Sequence, residues 1–553
     1  MTVLRFDVFR GEAPSVHPTK LANGLGTRLI NARLQADHLE PLRAPKLDTS
    51  AFALGAKSIF TDPRVGYWYA STQATNFVPP IIANDPYRRA YWTDATGAKY
   101  IDTADGATQK PFVTGYDLGV PAPAVAPTTA VSGTASANAV IEQRYYVYTL
   151  VDVYGQEGPP SPISSLTSVA NDGSQTVTLT FSSNDAAVHP KIQKRRIYRT
   201  AGSTAGADFM FIGETTNLAA SATFIDSLPT DNLAGDVLTS TFYDPPPSGL
   251  EGLVAAPGGF LAGWKGNRLA FSEIGLPHAW PASYQQAVDY DIVGLATFGN
   301  TIAVLTKGVP YLAVGSDPQG IQLAKLDTGL PCLGRQTIVD FNGLVVYNSP
   351  YGLVAVDQGG ARLITEGLIR PDQWQNGFIR DSVRYTPSAA LLAWNWHGLY
   401  ALWLGTANND VLLVDPRQPQ YGVAFAQLPF PVGAAFTSLD AERVFVLDSS
   451  TGDLYELDAY PEQAAIGMTW RSHEVLTDPI NYAALRVTAD GSVTVKYDYA
   501  VTPASSWTSM TMTAQPGEML RLPAGFMAMK HRVEVQSTAP VYLVELATTG
   551  AEL

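Results

Sequence analysis

The chain has 553 residues, 46% of them apolar and only 16% charged, and carries a net charge of −14. That length exceeds one domain and points to three or four; the acidic balance excludes a general nucleic-acid binder, because gripping phosphates takes Lys and Arg. One cysteine, Cys332, excludes a disulfide framework and a cysteine-built metal site, and no apolar run approaches the length of a membrane-spanning helix. The low charged fraction suits a subunit that buries large surfaces in an assembly. With 26 Tyr, 47 Gly and 39 Pro, the composition suits short strands joined by tight turns. Met1-Thr2-Val3-Leu4-Arg5-Phe6-Asp7 is charged too early for a secretion signal, so synthesis in a cytoplasm is expected.

Residues 1–50 form an N-terminal segment of mixed pattern. Residues 51–120 return to strands, with Ile59-Phe60, Gly66-Tyr67-Trp68-Tyr69 and Asn84–Thr93 before a turn at Gly97. Pro121–Ser136, rich in Pro, Ala and Thr, reads as a linker. Residues 138–240 then restart as a self-contained β unit. Arg144–Val151, Thr176–Phe181, Ile192–Thr200 and Phe209–Gly213 are strands, and Tyr154–Pro162 is a turn. About seven such runs in about 100 residues predict an inserted sandwich of the fibronectin type III kind.

Residues 245–465 repeat one pattern of apolar strand, Gly or Asp turn, apolar strand. The units are Gly249–Glu273, Asp291–Ser316, Leu333–Gly367, Arg380–Tyr421 and Val432–Tyr460. They start about 35–50 residues apart, the spacing of β-propeller blades. The strands of 51–120 match this pattern and are expected to complete the ring beside its last blade, removing open edges. Residues 466–553 predict a C-terminal β-sandwich, with Ser492–Tyr499 and His531–Val535 alternating at period two. The fold class expected is therefore all-β: a split β-propeller, an inserted fibronectin type III-like sandwich and a C-terminal β-sandwich.

No chemistry stands out. Gly202-Ser203-Thr204-Ala205-Gly206 has Thr where a Gly-x-Ser-x-Gly nucleophile would sit, and no phosphate-binding Gly-rich loop exists. The seven histidines (17, 38, 189, 278, 397, 473 and 531) never pair at zinc-ligand spacing. Asp448–Asp453 fails the calcium-loop pattern at Ser450, Gly452 and Asp453 and reads as a hairpin turn. Lys191, Lys194, Arg195, Arg196 and Arg199 fall on both faces of one strand, which predicts a solvated edge strand. Trp394 and Trp396 share a face; blade core is favoured over a sugar platform. Asp289 and Asp291, among 50 acidic residues, do not amount to a glycosidase pair. No catalytic, cofactor-binding or metal-ligating residue is assigned, and no cofactor is expected.

Four segments, in order, resemble the tail nozzle (tail tubular protein B type) proteins of short-tailed bacteriophages. The first is Asn23–Pro45, with Asn31-Ala32-Arg33-Leu34 and Leu39-Glu40-Pro41-Leu42-Arg43-Ala44-Pro45. The second is Asn84–Thr93. The third is Tyr148–Pro162 with Arg196-Ile197-Tyr198-Arg199-Thr200. The fourth is Trp470-Arg471-Ser472. The resemblance implies a structural virion protein and not an enzyme: a homohexameric ring in the tail, below the portal and adaptor. It also implies tail fibres or receptor-binding proteins nearby, and a channel that conducts DNA without specific binding. The rival expectations are a propeller-fold glycan hydrolase or lyase, or a carbohydrate-binding adhesin.

Overall fold

The computed structural model describes residues 3–553 apart from 35–36, 63–66, 83, 103–111, 113–114, 201–207, 381, 439–441 and 524. The chain is all-β. Among the described residues its single α-helix is Pro371–Asn376.

The middle of the chain folds into consecutive antiparallel sheets. Glu251–Ala256, Phe260–Lys265, Arg268–Phe271 and Gln286–Ala287 form the first. Ile292–Phe298, Thr301–Thr306, Tyr311–Val314 and Gln322–Lys325 form the second, and Val339–Asp340, Val345–Ser349, Gly352–Asp357 and Gly360–Leu363 the third. The first two predicted units gain an outer fourth strand beyond their expected ends, and the third, Leu333–Gly367, contains all four. The unit expected at Arg380–Tyr421 is displaced: Phe378–Arg380 and Val383–Tyr385 form a separate hairpin. The sheet itself comprises Leu392–Trp396, Leu399–Trp403, Asp410–Val414 and Val423–Gln427. Val432–Ser438, Arg443–Asp448 and Leu454–Leu457 follow, and Lys46–Thr49 from the N-terminal segment supplies their fourth strand.

The strands are continuously apolar because neighbouring sheets cover both faces. Side chains alternate across a strand, so Ile302 and Val304 enter the core shared with the first sheet. Ala303 and Leu305 enter the core shared with the third. Gly252, at φ 52°, shows why one position excludes a side chain: a Cβ there would come within 2.2 Å of the Trp264 ring.

The first strands of these sheets pack against one another in turn, from Glu251–Ala256 through Ile292–Phe298, Val339–Asp340 and Leu392–Trp396 to Val432–Ser438. Ser58–Asp62, paired with Tyr67–Ser71, lies against Val432–Ser438, and Ala90–Asp94, paired with Gly97–Ile101, lies against Glu251–Ala256. Thr75 joins those two hairpins. Its N–H donates to Ser58 Oγ at 2.9 Å, and its hydroxyl donates to the Thr93 carbonyl at 2.8 Å. The succession of contacts thereby returns to its start.

Residues 128–226 build separate sheets around one core of Tyr146, Tyr148, Leu150, Val177, Leu179, Phe181 and Ile197. Thr128–Gly133, Gln175–Thr180 and Thr223–Asp226 pair on one side, and Tyr146–Asp152, Ile192–Thr200 and Phe209–Thr215 on the other. The stretch expected as a linker at Pro121–Ser136 therefore contains a strand. Six residues from Thr128 to Gly133 hydrogen-bond to Gln175–Thr180, a long-range pairing that Pro/Ala/Thr composition does not reveal.

The N-terminal segment is not a unit of its own. Val3–Phe6 pairs with Val541–Ala547. Arg10–Glu12 and Leu25–Ile30 bridge Val423–Gln427 to Met468–Ser472, making one eleven-stranded sheet. That sheet continues through Ala528–Ser537, Val493–Ala500 and Thr508–Ala514, and packs on a second sheet containing Ala484–Ala489 and Val541–Ala547.

Candidate functional site

At one mouth of the sheet succession lies a depression of 790 Å³. Cys332–Gln336 reaches across it because Gly334 is extended and Arg335–Thr337 forms a single 3-10 turn. Arg335 Nη1 donates to the Ala74 carbonyl at 3.0 Å, and Nη2 to Glu251 Oε2 at 2.8 Å. Its guanidinium stacks 4.7 Å above the Trp264 ring. Gln336 Nε2 donates to the Lys57 carbonyl. Burial holds the Arg335 pKa below its usual value, with Glu251 opposing. The rim carries Lys57, Lys307 and Arg335 against Asp94, Glu251 and Asp291. Equal numbers of each sign leave no field that would draw in phosphate. Buried Cys332 nearby is a poor nucleophile, its thiol pushed up to about 12 by desolvation.

The sequence candidates are dispersed. Asp289 accepts from Lys325 Nζ at 2.5 Å, and Asp291 from Lys307 Nζ at 3.0 Å, each at the surface. Two carboxylates neutralised separately do not act as an acid–base pair. Asp448 accepts from the Ser450 N–H and hydroxyl inside the hairpin turn expected for it. Trp394 and Trp396 are both 4% exposed and pack at 6.3 Å in the core, as favoured over a sugar platform. The Gly202–Gly206 stretch lies outside the described residues.

The basic strand overturns its reading. Ile192–Thr200 is a central strand, paired on both sides. Arg195 and Arg199 are 0% exposed. Arg195 Nε donates to Asp185 at 2.6 Å, and its other nitrogens reach the carbonyls of Ser183, Asn217 and Leu218. Arg199 Nη1 donates to Asp226 at 2.7 Å. Charge on both faces of a strand predicts an edge only when no buried carboxylate waits opposite, and Asp185 and Asp226 are distant in sequence.

The histidines make separate contacts. His278 meets the Glu157 carbonyl at 3.2 Å, and burial holds its imidazole down to about 4. His531 meets the Tyr497 hydroxyl at 2.8 Å and is likewise held at about 4. His38 lies tilted at 34° to the Tyr542 ring, and His189 meets the Asp117 carbonyl. Among the described residues no three His, Cys, Asp or Glu side chains gather as a metal site.

The four segments singled out in the sequence meet in pairs. Leu25–Ile30, in the first, runs antiparallel to Met468–Ser472, the fourth, with Leu29 opposite Trp470 and Arg28 opposite Arg471. In the second, Arg89 is held by Asp85 at 2.8 Å and lies 5.0 Å above the Tyr154 ring of the third. Tyr87 packs edge-on to the same ring at 4.6 Å. The Arg335–Gln336 bridge was missed; a Gly-Arg-Gln tripeptide before a strand carries no local signal of a side chain that reaches residues 261 and 279 positions away.

No family model matches the chain, and no curated protein matches it. Among solved structures, the N-terminal domain of BBS1 in complex with ARL6 is 12% identical; the match covers 53% of this chain and 90% of that one, with a TM-score of 0.27. The WD40 domain of Neurospora crassa Pan2 is 10% identical, covering 52% and 87%, with a TM-score of 0.26. A gluconolactonase of Xanthomonas campestris is 10% identical, covering 51% and 89%, with a TM-score of 0.25. Likenesses at this level place the chain in no family.

Proposed function

We propose that this chain is a structural subunit of a phage tail nozzle, with copies assembled as a ring, expected to be hexameric, around a channel for DNA. In this reading its seven successive sheets are the blades of a closed propeller split by an insertion. Residues 128–226 are the inserted fibronectin type III-like sandwich, and the last 88 or so residues are a terminal sandwich. The observation that carries the reading is the pairwise meeting of the four nozzle-like segments. Leu25–Ile30 pairs with Met468–Ser472 across the chain, and Arg89 sits on Tyr154. Isolated chance matches have no reason to fall into contact.

Arg335 and Gln336 span the mouth of the subunit's own ring. DNA therefore runs between copies and not through one subunit. A net charge of −14 repeated around such a ring repels the duplex and keeps it centred, so it slides without gripping. Repulsion of this kind reaches about 8–10 Å at physiological salt. The ring would sit in the virion tail below the portal and adaptor, with tail fibres or receptor-binding proteins attached, after synthesis in the host cytoplasm.

Electron microscopy of the purified protein tests the reading. Rings of one rotational symmetry with an open centre are expected; particles that stay monomeric at high concentration count against it. A gel-shift assay should show no duplex binding at moderate salt. Release of sugars from bacterial surface polysaccharide would instead favour a glycan hydrolase.

A further inference from the structure

The sheet succession carries two kinds of attachment. The C-terminal sheets are continuous with it: one eleven-stranded sheet runs through both, and Leu413 and Val446 share a core with Trp470, Val535 and Val544. Residues 128–226 are attached otherwise. Their core, with Tyr148, Leu179 and Ile197, is separate from the core of Tyr91, Tyr100, Leu253 and Trp280 that they rest against. Among the described residues, Tyr154 is the side chain of the insert that packs on that second core. An interface between domains permits relative motion unless it is large and apolar.

The contacts that cross this junction are polar and aromatic. The Tyr154 hydroxyl donates to Asp102, and Lys191 Nζ lies 3.5 Å from the same buried carboxylate. His189 and His278 meet the carbonyls of Asp117 and Glu157 at 3.1 and 3.2 Å. Arg89 lies 5.0 Å above the Tyr154 ring, and Lys191 4.6 Å above that of Tyr116. The other buried charges keep a partner on their own side. Arg89 is held by Asp85 at 2.8 Å, within one loop. Asp152 accepts from the N–H groups of Tyr154 and Gln156 at 2.9 and 2.8 Å, within its own turn. Separation returns Asp102 and Lys191 to water and strands no charge in a core, so the desolvation cost of burying them is recovered.

Both connections to the insert offer a bend, and they meet. The entry is tied to the sheets at Leu118, whose N–H donates to the Ala98 carbonyl, while Val120 already packs in the insert's core. Between them Gly119 sits at φ 106°, where a Cβ would come within 2.8 Å of Pro246 on the exit. On that exit the Leu238 N–H donates to the Phe209 carbonyl of the insert, and the Asp244 carbonyl accepts from the Trp280 N–H. Residues 239–243 lie between the two ties. Short segments of this kind absorb the backbone rotation of a hinge. We propose that residues 120–238 are a hinged arm that turns about Gly119 and residues 239–243, and that Asp102, with Tyr154 and Lys191, is the latch that holds it down. This holds whether or not copies form a ring.

Single-molecule FRET on the full chain tests it, with dyes on A220C and Q358C, both exposed positions; Cys332 is buried and stays undyed. A second pair, Q358C and T538C, spans the shared core and serves as the rigid reference. Y154F and K191M each remove one bond to Asp102 and leave that carboxylate short of partners only while the arm is down. In Y154F/K191M a second transfer efficiency should appear in about a tenth of the molecules or more, and it should be roughly tenfold rarer, or rarer still, in the wild type. The 358–538 pair should keep one efficiency in both. Hydrogen exchange at Tyr146–Asp152 and Glu251–Ala256 should be unchanged, because both units stay folded. A single efficiency for 220–358 in the double variant would overturn the proposal. So would a second efficiency equally common in the wild type, one shared by both dye pairs, or one accompanied by lost protection in either strand, which marks unfolding and not undocking.

Discussion

Replacing Asp185 by Asn strands a guanidinium in the core of residues 128–226. Arg195 and Asp185 are both 0% exposed and 2.6 Å apart, so neither charge has water to fall back on. Breaking a buried pair by removing one partner costs about 3–5 kcal/mol. The carbonyls of Ser183, Asn217 and Leu218 still accept from Arg195, and its guanidinium stacks 4.5 Å from the Phe181 ring. Those contacts put the cost near the lower bound, about 3 kcal/mol, or roughly a hundredfold in a local opening constant. A chain with several cores does not unfold in one step, so a global midpoint is the wrong readout. Hydrogen exchange by mass spectrometry is the right one. Peptides spanning Tyr146–Asp152 and Ile192–Thr200 should exchange about a hundredfold faster in D185N, while those of Val493–Ala500 stay as they were. The double variant D185L/R195M, which removes both charges, should recover most of the protection. Acceleration under about fivefold, or acceleration spread equally over the C-terminal sheets, would refute the reasoning.

Arg335→Met keeps the aliphatic stem but loses the bonds to Ala74 and Glu251 and the stack on Trp264. We expect about 2–3 kcal/mol less protection at Ser58–Asp62 and Glu251–Ala256, read by the same exchange measurement. A chain beginning near residue 116 should be insoluble, because it loses the hairpins that lie against Val432–Ser438 and Glu251–Ala256; a soluble, monodisperse product on size-exclusion chromatography would contradict the closure. At the junction of the inserted sheets, His278 is held at about 4, so its contribution is full above pH 6.5 and is lost as pH falls towards 4. Asp152 is pushed by burial up to about 6, so protonation favours the folded junction over much the same window, and the two offset. D152N should therefore expose an acid-sensitive junction between pH 6.5 and 4, and H278Q an acid-stabilised one, measured as exchange at Tyr154–Pro162; identical pH profiles in both variants would dismiss the compensation.

Much of the fold was legible because it is local. Thr301–Thr306 is apolar on both faces and turns at Lys307-Gly308, and it folds as that pattern predicts. Ser492–Tyr499 and His531–Val535, read as separate alternating strands, turn out to pair with each other, with Val495 opposite Val535. What escaped depends on partners far away. Thr128–Gly133 is uncharged and Thr-rich, and only Gln175–Thr180 makes it a strand. Arg195 and Arg199 looked solvated because their counter-charges stand 10 and 27 residues off, on other elements.

The N-terminal strands have a consequence for how the molecule is made. Val3–Phe6 waits for Val541–Ala547, Leu25–Ile30 for Met468–Ser472, and Lys46–Thr49 for Leu454–Leu457. A chain emerging from the ribosome at about 5–20 residues per second therefore holds Val3–Phe6 unpaired until Val541–Ala547 appears. Such late, long-range pairing is slow and leaves sticky edges open meanwhile. Removing Val541–Ala547 would leave the Val3–Phe6 edge uncovered, while Leu25–Ile30 would still have Arg10–Glu12 beside it.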